Sequence, residues 1–240
     1  MPQADQETLH RLLDLQSEDL QIKRLETRRD SLPEAERLAI VKARLEELDA
    51  DLEIAGKQNE EISRERARRE DEIQTLTQKI FKEEQRLLSG KVSNPKELGA
   101  LQAEVASLGN KRAALEDGLL EVMVQQDDAV ATRSSLQAER EGALTEKETL
   151  ERTVEGLLSD IQAELATHSA ARVALSAEIA PDLVSLYERI RSERGGVGAA
   201  RLEGGTCLGC HTKLPSVEAE RIRAEGGLQR CDNCRRILVV

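Results

Sequence analysis

Ser89-Gly90-Lys91-Val92-Ser93-Asn94-Pro95 interrupts two long stripes of regularly spaced apolar residues, and its reading decides the fold. Gly90 can end one helix, Asn94 can cap the next, and Pro95 suits a first helical turn. Glu97 stands three residues after Asn94, a variant of the capping box. The segment reads as the tip of a helical hairpin, near residues 89–95.

Working outward, steps of three and four residues connect Leu98, Leu101, Val105, Leu108, Arg112, Leu115, Leu119 and Val122. The same count runs on through Gln126, Ala129, Arg133, Leu136, Arg140, Ala143, Lys147, Leu150, Val154, Leu157, Ile161, Glu164, His168, Ala171 and Leu175. An unbroken count of this kind belongs to a supercoiled helix rather than to an isolated surface helix. On the other side a matching stripe runs through Leu45, Leu48, Leu52, Ala55, Asn59, Ile62, Arg66, Arg69, Ile73, Leu76 and Ile80. Before Leu45 the register is less clear; Pro33 marks a bend or short break, with Ser31 as a cap for the helix after it.

With Val92 at the tip, residue 5 falls opposite residue 179, just before Pro181. The arms are then nearly equal, roughly 85 residues or about 125 Å each at the helical rise per residue. A long parallel dimer would have to carry its helices through the Gly90 to Pro95 break. The expectation is a mainly α protein, a long antiparallel coiled-coil hairpin over residues 1–180. Residues 181–240 would hold a short helix opened by Pro181, the last of the chain, and, around the paired cysteines Cys207, Cys210, Cys231 and Cys234, a small C-terminal zinc-ribbon domain. Leu183, Val184, Leu186 and Ile190 are that helix's apolar residues.

Composition agrees with helices rather than with a large globular core. There is no Trp, one Tyr (Tyr187) and one Phe (Phe81), and charged residues make up 34% of the chain. The regular apolar spacing argues against disorder. The first turns are polar and charged where a signal peptide would be apolar, and no run approaches the ~18 apolar residues of a membrane span. A cytoplasmic protein is expected. The net charge is −11, and residues 181–240 hold ten basic against eight acidic side chains. The acidity therefore lies in the helical arms, which suits a basic partner better than a polyanion.

Cys207, Cys210, Cys231 and Cys234 are the only cysteines, two C-x-x-C pairs separated by twenty residues. Each pair places two thiolates on one turn, and two turns close a tetrahedron around zinc. In a reducing compartment such pairs favour metal over disulfide. Four thiolates leave no open position, so one structural zinc ion is expected. A dithiol redox role explains the spacing poorly, and His211, beside Cys210, would become a ligand only by replacing a cysteine. Gly195-Gly196-Val197-Gly198 lacks the lysine and hydroxyl residue of a phosphate loop and reads as a flexible turn.

The polar seam residues invite two readings. Arg133, Arg140 and Lys147 can snorkel out of the interface, and Asn59 and Gln126, at nearly the same height, can fix register as a pair. Arg64, Arg66, Arg68 and Arg69 lie among Glu60, Glu61, Glu65 and Glu70, which makes a salt-bridged face. No catalytic constellation is visible, and no small-molecule substrate or membrane partner is expected.

At this point the tip and the tail together resemble a bacterial family of coiled-coil proteins ending in a C4-type zinc ribbon. The tip segment is Val92-Ser93-Asn94-Pro95-Lys96-Glu97-Leu98-Gly99-Ala100-Leu101, followed by Glu104 and Leu108. The tail carries Leu186-Tyr187, the glycine-rich turn, Cys207-Leu208-Gly209-Cys210, Leu214-Pro215, Cys231-Asp232-Asn233-Cys234 and Arg236-Ile237-Leu238. The resemblance implies recognition rather than catalysis: members have been linked to an alternative sigma factor, to flagellar or secretion machinery and to mRNA. Two positions depart from the pattern. Arg235 stands where glycine is usual after the last cysteine, and Val239-Val240 where an aromatic is common.

Two functions are compatible with these features. In the first, the protein is an adaptor or chaperone-like scaffold that meets a protein partner through the tip, around Lys91 and Lys96, or through the ribbon. Alternatively the ribbon binds RNA or DNA through Arg221, Arg223, Arg230, Arg235 and Arg236. Without aromatics to stack bases, such binding would be led by phosphates and sensitive to salt.

Overall fold

The computed structural model describes residues 5–240; the first four positions of the expected hairpin segment and polar N-terminus lie outside the described residues. Among the described residues, five helices and four short strands succeed one another in chain order: α1 (Gln6–Asp30), α2 (Pro33–Leu88), α3 (Pro95–Ala177), α4 (Pro181–Glu193), β1 (Ala199–Glu203), β2 (Thr206–Cys207), α5 (Ser216–Glu225), β3 (Gln229–Arg230) and β4 (Ile237–Val239). The fold is mainly α, a long helical hairpin with a small strand-rich ribbon at its C-terminus. Two compact units divide the chain, one comprising the residues up to Arg37 with Leu150–Val240, the other Leu38–Thr149.

In the second unit α2 and α3 run antiparallel. Arg44 pairs with Glu139 at 3.0 Å, Lys79 with Glu104 at 3.1 Å and Arg86 with Glu97 at 3.6 Å. All three pairs share one midpoint, between residues 91 and 92. Between these helices, α2 stops at Leu88, Gly90 takes a left-handed φ of 65°, and the Lys96 N–H donates to Asn94 Oδ1 at 3.0 Å. Glu97, read as the far half of a capping box, instead faces Arg86 of the other arm.

The seam positions from Leu45 to Ile80 and from Leu98 to Ala129 are all buried or half-buried. Its two amides behave differently from the expectation. Gln126 accepts from Arg66 Nη1 at 2.9 Å and donates to Ser63 Oγ at 3.1 Å, while Asn59 Oδ1 is buried and has no partner among the described residues. The amide pair does not form. Arg140 reaches Asp49, and Arg133 is exposed. The arginine cluster is salt-bridged as read: Arg64 to Glu60, Arg66 to Glu70, Arg68 and Arg69 to Glu65.

The first unit is built on long-range packing. Leu9, Leu12 and Leu15 of α1 meet Ile179, Leu183, Tyr187 and Ile190 around α4, together with Ala199, Ile237 and Val239 of the sheet. Lower on α1, Leu25 and Leu32 pack against Ile161 and Leu165 of α3. Here the stripe count fails by one residue: Leu165 is buried where the strict repeat put Glu164, which is exposed. A four-residue step after Ile161 keeps the apolar face turned to α1. The break near Pro33 is real, but Ser31 serves the helix before it, donating from Oγ to the Thr27 carbonyl at 2.7 Å.

Two buried polar residues of α1 secure this unit. Gln16 accepts from the Gly198 N–H at 2.6 Å and donates to the Gly196 carbonyl at 2.9 Å. The glycine-rich segment is therefore a pinned turn, with the Gly198 N–H already engaged. Asp19 accepts from the Tyr187 hydroxyl at 2.6 Å and from Arg172 Nε at 2.7 Å, and Arg191 lies 3.2 Å away. Burial, and the Asp19 carboxylate beside it, push the Tyr187 hydroxyl well above its ordinary pKa. Gly198 itself is obligatory, since a Cβ there would lie 2.7 Å from the Tyr187 backbone oxygen.

Candidate metal centre

The ribbon grows from a four-stranded sheet of order β2-β1-β4-β3, with β1 and β4 parallel and both outer pairs antiparallel. Gly204 and Gly205, with φ of 60° and 83°, make the tight turn between β1 and β2, a geometry that asks for positive φ at both central residues. Each of the two C-x-x-C turns comes after a short strand. The two turns are alike: the His211 N–H donates to Cys207 O and the Arg235 N–H to Cys231 O, each at 2.8 Å. Both closing residues adopt left-handed φ, 57° at His211 and 65° at Arg235. A helix the sequence reading did not foresee, α5, lies between the turns and buries Ala219 and Ile222 in the ribbon core. The helix opened by Pro181 is thus not the last.

The four sulfurs converge. One ligand atom from each of Cys207, Cys210, Cys231 and Cys234 lies within 4.8 Å of the others. The Cys207–Cys234 sulfurs are 3.9 Å apart and the Cys210–Cys231 sulfurs 3.8 Å. A tetrahedron with zinc–sulfur bonds near 2.3 Å has edges of about 3.8 Å, so the cluster has the size that ion requires. Burial pushes the Cys207 thiol up to about 12 and also raises Cys231. Burial opposes ionisation at Cys210 as well, but hydrogen bonds with Thr212, Cys234 and Asn233 outweigh it and bring that thiol down to about 6. Four sulfurs packed this closely ionise together only around a cation. His211 is exposed and stands outside the sulfur group.

The ribbon's arginines divide into distinct roles. Arg236 donates from Nε to Val197 O, from Nη1 to Gly209 O and from Nη2 to Arg194 O, at 2.8 to 3.0 Å. It staples the start of β4 to the first cysteine turn. Arg221 is held by Glu218 and Glu225 of its own helix at 2.6 and 2.9 Å. Arg223 is exposed on α5. Arg230 and Arg235 border a cleft against α4, where Arg189 joins them. Arg189 was missed in sequence, although Ser185 and Arg189 sit one turn apart on the face of α4 opposite its apolar stripe. At the hairpin tip, Lys91 and Lys96 are both exposed.

Comparison with known proteins matches a family described as the CT398-like coiled coil hairpin domain over residues 15–195, well over half of the chain. The chain belongs to the CT398-like coiled-coil hairpin family. A C4-type zinc ribbon domain matches residues 206–238 and takes in all four cysteines. With the sulfur cluster, that match supports one structural zinc ion. Among relatives of this chain, the uncharacterized protein Rv2229c of Mycobacterium tuberculosis is 30% identical over 233 residues, 95% of this chain and 93% of its own length. A solved Mycobacterium smegmatis structure is 28% identical and covers both chains completely with a TM-score of 0.81. CT398 of Chlamydia trachomatis, 23% identical over 97% of each chain, shares the fold at a TM-score of 0.67. Among the described residues, no helix is long and apolar enough to cross a membrane.

Proposed function

We propose that this protein is a non-catalytic, zinc-binding adaptor or chaperone-like scaffold that recognises a protein partner through its hairpin tip or its ribbon. Cys207, Cys210, Cys231 and Cys234 hold the zinc, which acts as a cross-link and contributes folding free energy. Four thiolates fill its coordination, leaving no place for a substrate. Residues 1–180 serve as the helical arms and residues 181–240 as the ribbon end, working in the cytoplasm, where thiols stay reduced. Lys91 and Lys96 supply charge at the tip.

The observation that carries this reading is the internal use of the ribbon's cations. A phosphate-binding surface needs free arginines, yet Arg236 is engaged by three carbonyls and Arg221 by two carboxylates. The remaining Arg223, Arg230 and Arg235 make a small footprint in a chain whose arms are acidic. A salt series with zinc-loaded protein, single-stranded RNA and duplex DNA tests it. Little binding is expected even at low salt. Binding that weakens steeply with salt, and disappears when Arg223, Arg230 and Arg235 are changed to Ala, would overturn the protein-adaptor reading in favour of nucleic acid.

A further inference from the structure

A cleft of about 750 Å3 lies between α4 and β3, bordered by Arg189, Arg230 and Arg235, with Asp182, Leu186 and Leu228. Three guanidinium groups face one carboxylate in a chain whose net charge is −11. Three other arginines of the same unit are saturated, Arg172 and Arg191 by Asp19 and Glu188, and Arg221 by Glu218 and Glu225. Among the described residues, Arg189, Arg230 and Arg235 have no such carboxylate partner. Arg230 is oriented by a bond from its Nε to the Arg235 carbonyl at 2.9 Å, which keeps its terminal nitrogens available.

Arg235, like His211 in the other cysteine turn, holds a left-handed backbone. Its φ of 65° is costly for a residue with a Cβ and suits glycine. The turn imposes this backbone through the Arg235 N–H to Cys231 O bond, and glycine would satisfy it better. What an arginine brings to the position is a cation at the cleft.

The cleft also borders an open strand edge. β3 is outermost in the sheet. Because the Cys231 N–H donates to Arg236 O, the alternation of an antiparallel ladder turns the Arg230 N–H and carbonyl away from β4. An extended chain can pair at such an edge, its alternate side chains entering neighbouring pockets.

We infer that this cleft docks an extended acidic segment of the partner protein, laid beside β3 with its carboxylates on Arg189, Arg230 and Arg235 and an apolar neighbour on Leu186 and Leu228. The inference rests on the protein-adaptor reading and names the chemistry of one contact. Carboxylates fit this site better than a phosphate chain. Asp182 repels a polyanion but tolerates spaced charges, and Tyr187, the one aromatic residue of this part of the chain, is fully buried and offers bases no stacking face.

The test is fluorescence anisotropy of a short labelled peptide alternating Leu and Glu, added to zinc-loaded full-length protein. A Leu-Lys peptide and a short single-stranded RNA form parallel arms. The Leu-Glu peptide should bind and the Leu-Lys peptide should not. Affinity should fall about tenfold or more in Arg189→Ala and in Arg235→Gly, while Lys213→Ala, exposed and outside the cleft, leaves it unchanged. Arg235→Gly relieves the left-handed backbone, so its loss of binding cannot come from misfolding. No binding of either peptide or RNA overturns this inference alone, and so does Leu-Glu binding that both arginine variants retain. RNA binding lost in the same two variants overturns it together with the protein-adaptor reading.

Discussion

The unit from Leu38 to Thr149 and the unit that carries the ribbon solve the same problem, a chain with almost no aromatics, in opposite ways. The first buries Val41, Leu45, Leu48, Ala55, Ile80, Leu101 and Val122 along one seam, with Asn59, Arg66 and Gln126 half-buried among them. Each layer rests on its neighbours, and the pairing is set from the tip. The ribbon unit gathers α1, α4 and the sheet around Leu12, Leu15, Leu183, Tyr187 and Ile237, each no more than 1% exposed. It adds a buried carboxylate and a metal-sized sulfur cluster. Many weak local layers make one unit; a few long-range contacts and one ion make the other. The two should therefore fail separately.

Removing zinc is the strongest way to break this comparison. In zinc-finger peptides the ion contributes on the order of 10–16 kcal/mol at neutral pH, more than a ribbon with so small a core can replace. Chelation, or Cys231→Ser, should abolish amide protection across residues 199–239 in hydrogen–deuterium exchange. Protection across residues 45–80 and 98–129 should persist. Equal loss in both regions would show that they unfold as one cooperative body.

Asp19→Ala sets the next largest effect and is confined to the ribbon unit. It removes the shared acceptor of Tyr187, Arg172 and Arg191. Breaking a buried ion pair by deleting one partner costs about 3–5 kcal/mol. The low end applies, since the Arg172 and Arg191 side chains remain 26% and 32% exposed. Exchange should quicken in α4 and in the glycine-rich turn by a factor matching that loss, with residues 45–80 unaffected. Unchanged rates in α4 would mean that the apolar contacts of α1 hold it without the carboxylate.

The same contrast explains how much could be read from sequence. The seam between the arms is periodic and its turn is spelled out in Gly90, Asn94 and Pro95, so the hairpin was legible. The four cysteines were legible because zinc needs that donor set on two short turns. The core between Leu12 and Tyr187 was not, because its halves stand far apart in the chain and no repeat links them. Gln16 and Asp19 left a trace, polar residues that continue the Leu9-Leu12-Leu15 stripe, but their partners arise only from tertiary packing. Arg236 was read as a phosphate contact because sequence gives its charge and not the three carbonyls around it. Helix α5 was missed because ten residues of weak apolar pattern owe their helix to burial of Ala219 and Ile222.

The smallest predicted effect has the opposite sign and belongs to the seam. Among the described residues Asn59 Oδ1 is buried with no hydrogen-bond partner, and its expected companion Gln126 is engaged by Arg66 and Ser63. An unsatisfied buried acceptor costs about 1–3 kcal/mol. Asn59→Leu removes that cost and continues the stripe between Ala55 and Ile62. It should stabilise the Leu38–Thr149 unit by about 1 kcal/mol, the rest being offset by fitting a branched side chain into the layer. Exchange across residues 55–66 should slow by about fivefold, while the ribbon's rates stay fixed. Faster exchange after the substitution would show that Asn59 holds the register of the arms, and that this seam gains specificity from a residue that lowers its stability.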